Sequence, residues 1–427
     1  MKFIFADSLD LVDPGYDFLA DRMHPGRRPY WDDQYPHELF GYSPYDGILV
    51  SRGIVGDHHF KGKYTSSQAM RFKRVGARKF LRFNGHFGNK DLFGDSGAFS
   101  YVAHEVPPYT SEDMVDFYGD GQFTHGCSVD HVIFDFERSF LGMQGGSEDA
   151  KRRFEITLEN ARSFLRASRG LGPSFTPLGV VQGWSPGSMG EAAAQLEKMG
   201  YTYLALGGMV PLNATSVHAC LQAVRARISA QTQLHLLGFA KAEQIHEFAK
   251  YGIASFDTTS PLVRAFKDAR ANYYVTKDAG GIDYYAAIRV PQALESTRLL
   301  RGVKEGRIKQ EVLSDLEVNA LRALREFDRG QETIERTVEA VLAYSKVFLS
   351  ADSGKTETEN EKTLLELRNR LQRVLAEKPW KECACSVCKA ISIEVVIFRG
   401  NNRNRRRGFH NLAVFYRHVK SILAEKS

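Results

Sequence analysis

Short apolar runs recur along the first two-thirds of the chain, each followed by a turn and an amphipathic stretch. Runs at 48–51, 79–83, 92–96, 131–136, 178–182, 203–206, 234–237 and 255–257 are almost continuously hydrophobic, the pattern of parallel strands covered on both faces. Between them, 66–75, 111–118, 150–168, 189–199, 216–228 and 242–251 repeat apolar residues at helical spacing. Strands alternating with helices predict an α/β protein built on a (β/α)8 barrel, placed over residues 47–265. An open doubly wound sheet is the alternative, but no G-x-G-x-x-G follows the first strand. Residues 1–46, rich in Asp, Pro, Tyr and His, are expected to form an N-terminal extension or cap. Beyond Pro261 the pattern becomes helical, at 309–327, 331–349 and 361–376. This predicts a helical region over 266–350, a polar linker at 351–359 and a last segment over 360–427 ending in a helix at 409–424.

That last segment changes the picture. Cys383, Cys385 and Cys388 form C-x-C-x2-C, with His410 following after 21 intervening residues. Three thiolates and an imidazole are a full tetrahedral set for zinc. With only five cysteines in the chain, three within one six-residue window are hard to explain by packing. A closed four-ligand set leaves no position for water, so the expected zinc is structural.

Composition narrows the class. The chain has 427 residues, 43% hydrophobic and 25% charged, as ordinary soluble proteins have. The opening MKFIFADSLD has one lysine, a short apolar run and then acids, unlike a secretory signal. No apolar run approaches the ~20 residues that span a bilayer. The unpaired cysteine cluster, with Cys127 and Cys220 isolated, suits a reducing cytoplasm. The net charge is +6. Residues 399–407, RGNNRNRRR, hold five arginines and three asparagines without an acid. Arg399, Arg403, Arg405, Arg406 and Arg407 are therefore expected to face nucleic-acid phosphates.

In a (β/α)8 barrel the active site lies at the C-terminal strand ends. Those ends carry GDSGAF with Asp95, IFDFE with Asp135 and Glu137, VVQGW with Gln182 and Gly183, LALGGM with Gly207 and Gly208, and SFDTTSP with Asp257. Paired carboxylates serve glycosyl transfer, one as nucleophile and one as acid/base. An amide can both donate to and accept from a heterocycle's edge, and glycines admit a planar ligand close to backbone N–H groups. Each residue also has a plainer reading: Asp95 and Asp257 as helix N-caps, the glycines as a turn, Phe99 as core.

Taken together, GDSGAF, VVQGW, LALGGM, FDTTSP and the C-x-C-x2-C with its later histidine resemble, in the same order, the tRNA-guanine transglycosylases. These are zinc-containing (β/α)8 enzymes that exchange guanine for a 7-deazaguanine. The resemblance runs from about residue 47 to 410. MKFIFADSLDLVDPGYDF, PYDGILVSRGIV, GDSGAFSYVAHEVPPYT, SVDHVIFDFE and VVIFRGNNRNRRRGFHN are similar to one branch, the bacterial and phage DNA-guanine transglycosylases. Members of that branch insert 7-deazaguanines into DNA within a modification and restriction system.

The resemblance implies a role for each residue. Asp257 matches the nucleophile at C1′ and Asp95 the general acid/base. Asp135 matches the aspartate reading the N1/N2 edge of the base, Gln182 and Gly183 the pair contacting the base, and Gly208 with Gly207 the backbone donor to O6. Phe99 matches the stacking aromatic, and Cys383, Cys385, Cys388 and His410 the zinc ligands. It further implies DNA and preQ0 or a related 7-deazaguanine as substrates, an ATPase-like partner, and enzymes converting the inserted base. Trp184 and Phe136 depart from the tRNA enzymes, which usually carry a second glycine and an acid there, and are expected to alter the pocket wall. The alternatives are a tRNA-guanine transglycosylase, a catalytically silent nucleic-acid-binding subunit, and a zinc-stabilised DNA-binding sensor of a heterocycle.

Overall fold

The computed structural model describes residues 1–239, 244–277, 281–350 and 356–424. The chain forms two compact units. One consists of Met1–Asp10, Tyr45–Ser260 and the end of the chain from Val419; the other of Leu11–Pro44 and Pro261–His418. These units do not follow the expected linear boundaries near 46 and 265, because the first residues belong with the barrel and the next thirty-odd with the helical unit.

The first unit is a closed, all-parallel barrel. Its strands are β1 (Lys2–Ala6), β2 (Gly47–Ser51), β3 (Asp91–Asp95), β4 (His125–Cys127), β5 (Thr176–Val181), β6 (Tyr203–Leu206), β7 (Gln233–Leu236) and β8 (Ile253–Thr258). Ile4, Leu49, Phe93, Cys127, Leu178, Val180, Tyr203 and Ala205 pack into one cluster contributed by six of the strands, a filled core rather than a pore. Helices Ser66–Val75, Ser111–Gly121, Glu148–Ala167, Pro186–Met199 and Ala214–Arg225 lie within two or three residues of their predicted bounds. The stretch predicted at 242–251 begins among residues outside the described ones; its described part holds the short helix Ile245–Phe248.

Three strand expectations are corrected. The first strand of the barrel is KFIFA at the chain start, pairing with β2 and β8, where a cap was expected. The run at 79–83 instead covers the end of a short helix, Ala77–Phe80, begun at Gly76 with φ +79°, and the turn after it. Phe80, Leu81 and Phe83 are buried, and hydrophobicity alone does not distinguish a buried turn of helix from a strand. The fourth strand is also displaced, from 131–136 to HGC at 125–127. That tripeptide has little strand propensity, yet its neighbours hold it. Tyr118 lies across Gly94 and Gly126 and donates to the carbonyl of Cys127 at 2.7 Å. A Cβ on Gly126 would come within 2.5 Å of the Tyr118 ring, so both glycines are there to seat the tyrosine.

In the second unit, helices Gln310–Asp328, Ile334–Ser350 and Glu357–Glu377 share one apolar core with Trp380 and the cysteine segment. Trp380 donates to Asp328 at 2.8 Å. Of the linker expected at 351–359, residues 351–355 lie outside the described ones, and Thr356 already caps the third helix through a capping box with Glu359. Among the described residues no helix is long and apolar enough to cross a membrane.

The closing helix is longer than predicted, Asn401–Ala424, and takes in the arginine-rich stretch. This corrects the expected phosphate surface. Arg399, Arg403, Arg406 and Arg407 are buried. Arg403 pairs with Asp21 and Glu394, Arg399 with Asp21 and Glu317, and Arg325 reaches Glu394 at 2.7 Å. Arg406 donates to the carbonyl of Asp13 at 2.8 Å and Arg405 to that of Leu11 at 3.2 Å. Arg407 has carbonyl acceptors at Ala265, Val395 and Ile397, and burial pushes its pKa down to about 9. The arginines bind the segment Leu11–Pro44 to the closing helix. Asp21 and Glu317 lie far away in sequence and Glu394 falls just before the run, which is why no compensating acid was visible within it. Arg403→Ala would take one of two arginine partners from Asp21 and from buried Glu394, and is expected to cost about 3 kcal/mol, the low end for a broken buried pair because Arg399 and Arg325 remain. Chemical denaturation of the variant against the wild-type protein checks this.

Candidate active site and metal centre

Asp257 closes β8 and is 5% exposed. Its Oδ1 takes two bonds, one with His235 Nε2 at 3.1 Å and one from the Gly238 N–H at 2.9 Å. Its Oδ2 carries no bond among the described residues. Beneath it runs a buried chain: Tyr203 hydroxyl to Ser255 Oγ at 2.6 Å, Ser255 Oγ to His235 Nδ1 at 2.5 Å, then His235 to Asp257. Donor and acceptor capacity match throughout if His235 carries its proton on Nε2, so one carboxylate oxygen is fixed and the other is left to react.

Asp95 ends β3 and accepts from the Gly97 N–H at 3.1 Å. Gly97 has φ +79°, and a Cβ there would lie 2.7 Å from Ser51 Oγ and 2.9 Å from Gly53 N. Only glycine lets this turn fold against the end of β2. Burial, opposed by a hydrogen bond from Ser51 and reinforced by the charges of Asp257 and Asp130, pushes the Asp95 carboxyl up to about 7. A carboxyl titrating there can both give and take a proton near neutrality.

Asp130 was not among the sequence candidates. It lies three residues beyond β4, is 6% exposed, and accepts from Gln182 Nε2 at 2.7 Å. Burial raises it to about 6, against the Gln182 bond. Its backbone carbonyl accepts from Tyr101, which is bonded in turn to Ser96 beside Asp95. Asp135, expected at this place, is exposed and accepts from Ser147 at 2.6 Å outside that cluster. The displaced fourth strand explains the difference: with β4 ending at Cys127, the strand-end aspartate is Asp130, and D-F-E lies further along the loop. The signal was present in S-V-D-H, read as a strand start instead of a strand exit. Glu137 is likewise exposed, bonded to Ser139.

Gln182 is buried at the end of β5, with Ile133 N–H 3.4 Å from its Oε1. Gly207 and Gly208 pack directly on its amide, leaving no room for a Cβ at Gly207. The Gly207 N–H is used on the Val181 carbonyl at 3.0 Å. Gly208 has φ +69°, which turns the chain above the amide. Gly183 is buried against Ser188 and Met189, 2.8 Å from where its Cβ would be. Trp184, expected in the pocket wall, points away: it is 1% exposed, stacks edge-on to Phe154 and donates to the Gln144 carbonyl at 2.9 Å. It anchors the loop after β4. Phe99 is 56% and Phe134 50% exposed, their ring centroids 6.1 Å apart. Two neighbouring open rings offer a flat apolar face on which a planar group can stack.

Cys383, Cys385, Cys388 and His410 form a cluster that could hold a metal ion, their ligand atoms all within 4.8 Å of one another. His410 Nδ1 lies 3.5, 3.4 and 3.3 Å from the three sulfurs. A tetrahedral ion about 2.3 Å from sulfur and about 2.0 Å from nitrogen sets S···N separations of about 3.6 Å, so the donor set fits. The other ring nitrogen, Nε2, donates to the Tyr274 carbonyl at 2.7 Å, and Tyr273 stacks on the ring at 4.2 Å. That fixes the tautomer and presents Nδ1.

An open carboxylate oxygen beside a second carboxyl that titrates near neutrality is what group transfer through a covalent carboxylate ester requires. On a (β/α)8 barrel, with a Cys3His cluster later in the chain, these features are the ones that the resemblance to the guanine transglycosylases implies. No protein-family model matches the chain. A curated DNA-guanine transglycosylase of Salmonella montevideo is 39% identical over 429 residues, covering 100% of this chain and 98% of that protein. The chain belongs to the DNA-guanine transglycosylase family.

Two predictions come from this geometry. Asp95 binds its proton more tightly folded, at about 7, than at its ordinary 3.8. Its contribution to stability is therefore full below about pH 4 and is lost as pH rises through 7. Asp95→Asn, which keeps the shape without the titration, should flatten the fall in unfolding temperature between pH 4 and 7, leaving the part due to Asp130. Separately, Cys385→Ser should lower metal content, measured by mass spectrometry, and unfolding temperature together, since binding is coupled to folding of the segment.

Proposed function

We propose that the protein exchanges guanine in DNA for a 7-deazaguanine, preQ0 being the favoured base, through a covalent glycosyl-aspartate. The observation carrying this reading is Asp257, held through Oδ1 by His235 and Gly238 with Oδ2 open, while Asp95 titrates near neutrality in its field.

In this mechanism a target guanine leaves the stack and enters the barrel mouth, since C1′ and the base edge are shielded within a duplex. The Asp130 carboxylate accepts from N1–H and the 2-amino group, Gln182 completes that edge, and the Gly208 N–H donates to O6. Asp130 thus takes the part that the resemblance gave to Asp135. Phe99, with Phe134, supplies the stacking face. Asp257 Oδ2 bonds to C1′ as the C1′–N9 bond breaks, and protonated Asp95 gives its proton to the departing guanine. The incoming base loses its N9 proton to Asp95; N9 then bonds to C1′ and the ester to Asp257 breaks. Charge and protons balance over the cycle, and no nucleotide triphosphate is consumed.

Zinc is the ion proposed for the Cys3His cluster, where four protein ligands leave no open position and its part is to hold the fold. The wider reading includes a cytoplasmic modification system with an ATPase-like partner and enzymes that convert the inserted base.

The experiment supplies purified protein with guanine-containing DNA or with tRNA and labelled preQ0, and follows the label by nucleoside mass spectrometry. Label in DNA is expected. Asp257→Ala should reduce it by at least 10³-fold, the scale on which a missing nucleophile acts, with folding and metal content retained. Label entering tRNA alone would assign the chemistry to the other polymer, and exchange persisting in the variant would remove Asp257 as nucleophile.

A further inference from the structure

With the arginine stretch turned inward, the chain's positive charge resides elsewhere. Residues 52–90 contain ten Lys and Arg and a single acid, Asp57. That segment carries +9 while the whole chain carries +6, so everything else sums to −3. The cations are not spread evenly. Those at 58–63 occupy a loop that leaves the C-terminal end of β2, on the side of the barrel where Asp95 and Asp257 end their strands.

The loop is built. Arg52 donates to Asp57 Oδ2 at 3.1 Å, and the His59 N–H to Asp57 Oδ1 at 2.9 Å. The one acid is thereby spent on holding the loop's base. Asp57 N–H bonds to the Phe60 carbonyl at 3.0 Å and Lys63 N–H to that of Ile54 at 2.8 Å. A Cβ on Gly62 would come within 2.5 Å of Gly56 N, so the two arms touch at glycines. The tip presents His58, His59, Lys61 and Lys63, all exposed. Between the loop and helix Ser66–Val75 runs a cleft of about 550 Å³, lined by His58, His59, Lys61, Met70 and Lys73 among others.

The loop is also fastened to the mouth. The Tyr64 hydroxyl donates to Asp7 Oδ2 at 2.8 Å, just beyond the end of β1, and the Lys63 charge acts on the same carboxylate. Ser51 and Gly53, at the loop's root, abut the Gly97 turn that carries Asp95. Among the described residues Lys61 and Lys63 have no salt bridge. Lys73 faces a neighbouring cleft with Asp113, Asp116 and Asp120, which offsets part of its charge.

We propose that this loop is the phosphate-contacting surface for the DNA strand whose base enters the barrel, with Lys61 and Lys63 as the principal contacts and Lys73, His58 and His59 beside them. The inference rests on the base-exchange reading for its substrate and on the loop's charge and placement for everything else. Ammonium groups carried on a loop held beside the mouth would fix the DNA backbone while the base is read inside.

The test uses the full-length protein and a fluorescent guanine-containing oligonucleotide, with Kd measured over a salt series, alongside labelled-base exchange. Lys61→Gln with Lys63→Gln should weaken binding at least tenfold at low salt and reduce the slope of log K on log salt by about 0.7–0.9 per lost contact. At saturating DNA, kcat should be unchanged while KM for DNA rises. Lys61→Arg with Lys63→Arg should restore affinity, showing that charge and not folding is at issue. Unchanged Kd and slope in the Gln variant, with exchange intact, would overturn this surface and leave the exchange reading standing. Lysine-dependent DNA binding without exchange by the wild-type protein would do the reverse. Lysine-dependent binding of tRNA alone would overturn DNA as the occupant.

Discussion

Closure of the barrel by β1 is the constraint on which the candidate site depends. KFIFA fits between β2 and β8, with Ile4 opposite Gly47 on one side and Asp257 on the other. Without that strand β8 would be a sheet edge, and Asp257 would sit on an unpaired backbone open to water. With it, Asp257 is fixed at the mouth of a closed ring. His235 and Ser255 then face each other across the β7–β8 pair, two residues before Asp257 along β8. The polar chain from Tyr203 to Asp257 follows from strand register.

The same register explains the electrostatics. Carboxylates at the ends of β3 and β8 and beyond β4 lie where water is largely excluded, and the charges of Asp257 and Asp130 add to burial in raising the cost of ionising Asp95. Asp130 is relieved by Gln182. Under the proposed mechanism, these three aspartates would divide between them the parts of nucleophile, acid/base and reading group.

The second unit solves a different problem with charge. Its arginines face inward and meet Asp21, Glu317, Glu394 and a series of backbone carbonyls. Buried ion pairs of this kind return little net stability but penalise any other arrangement. They specify where the segment Leu11–Pro44 lies on the closing helix. The Cys3His cluster and its tyrosine-stacked histidine act on the same helix, where His410 stands three residues after Arg407.

Much of this was legible in the residues. Alternating apolar and amphipathic stretches specify a parallel barrel because strands buried on both faces must be continuously hydrophobic. The Cys3His cluster was legible because its spacing has few other uses, and the positions of Asp95, Gln182, Gly207, Gly208 and Asp257 because each lies at or just beside a strand's C-terminal end. What tertiary structure decided was everything set by partners distant in sequence. KFIFA becomes a barrel strand only because β8 arrives some 250 residues later. HGC becomes one because Tyr118 fills the space over its glycine. That shift puts Asp130 in the place expected of Asp135. RGNNRNRRR turns inward because its acids lie as far off as Asp21. Local pattern encodes which surfaces must be buried; a charge's direction depends on a counter-charge that only the folded chain brings near.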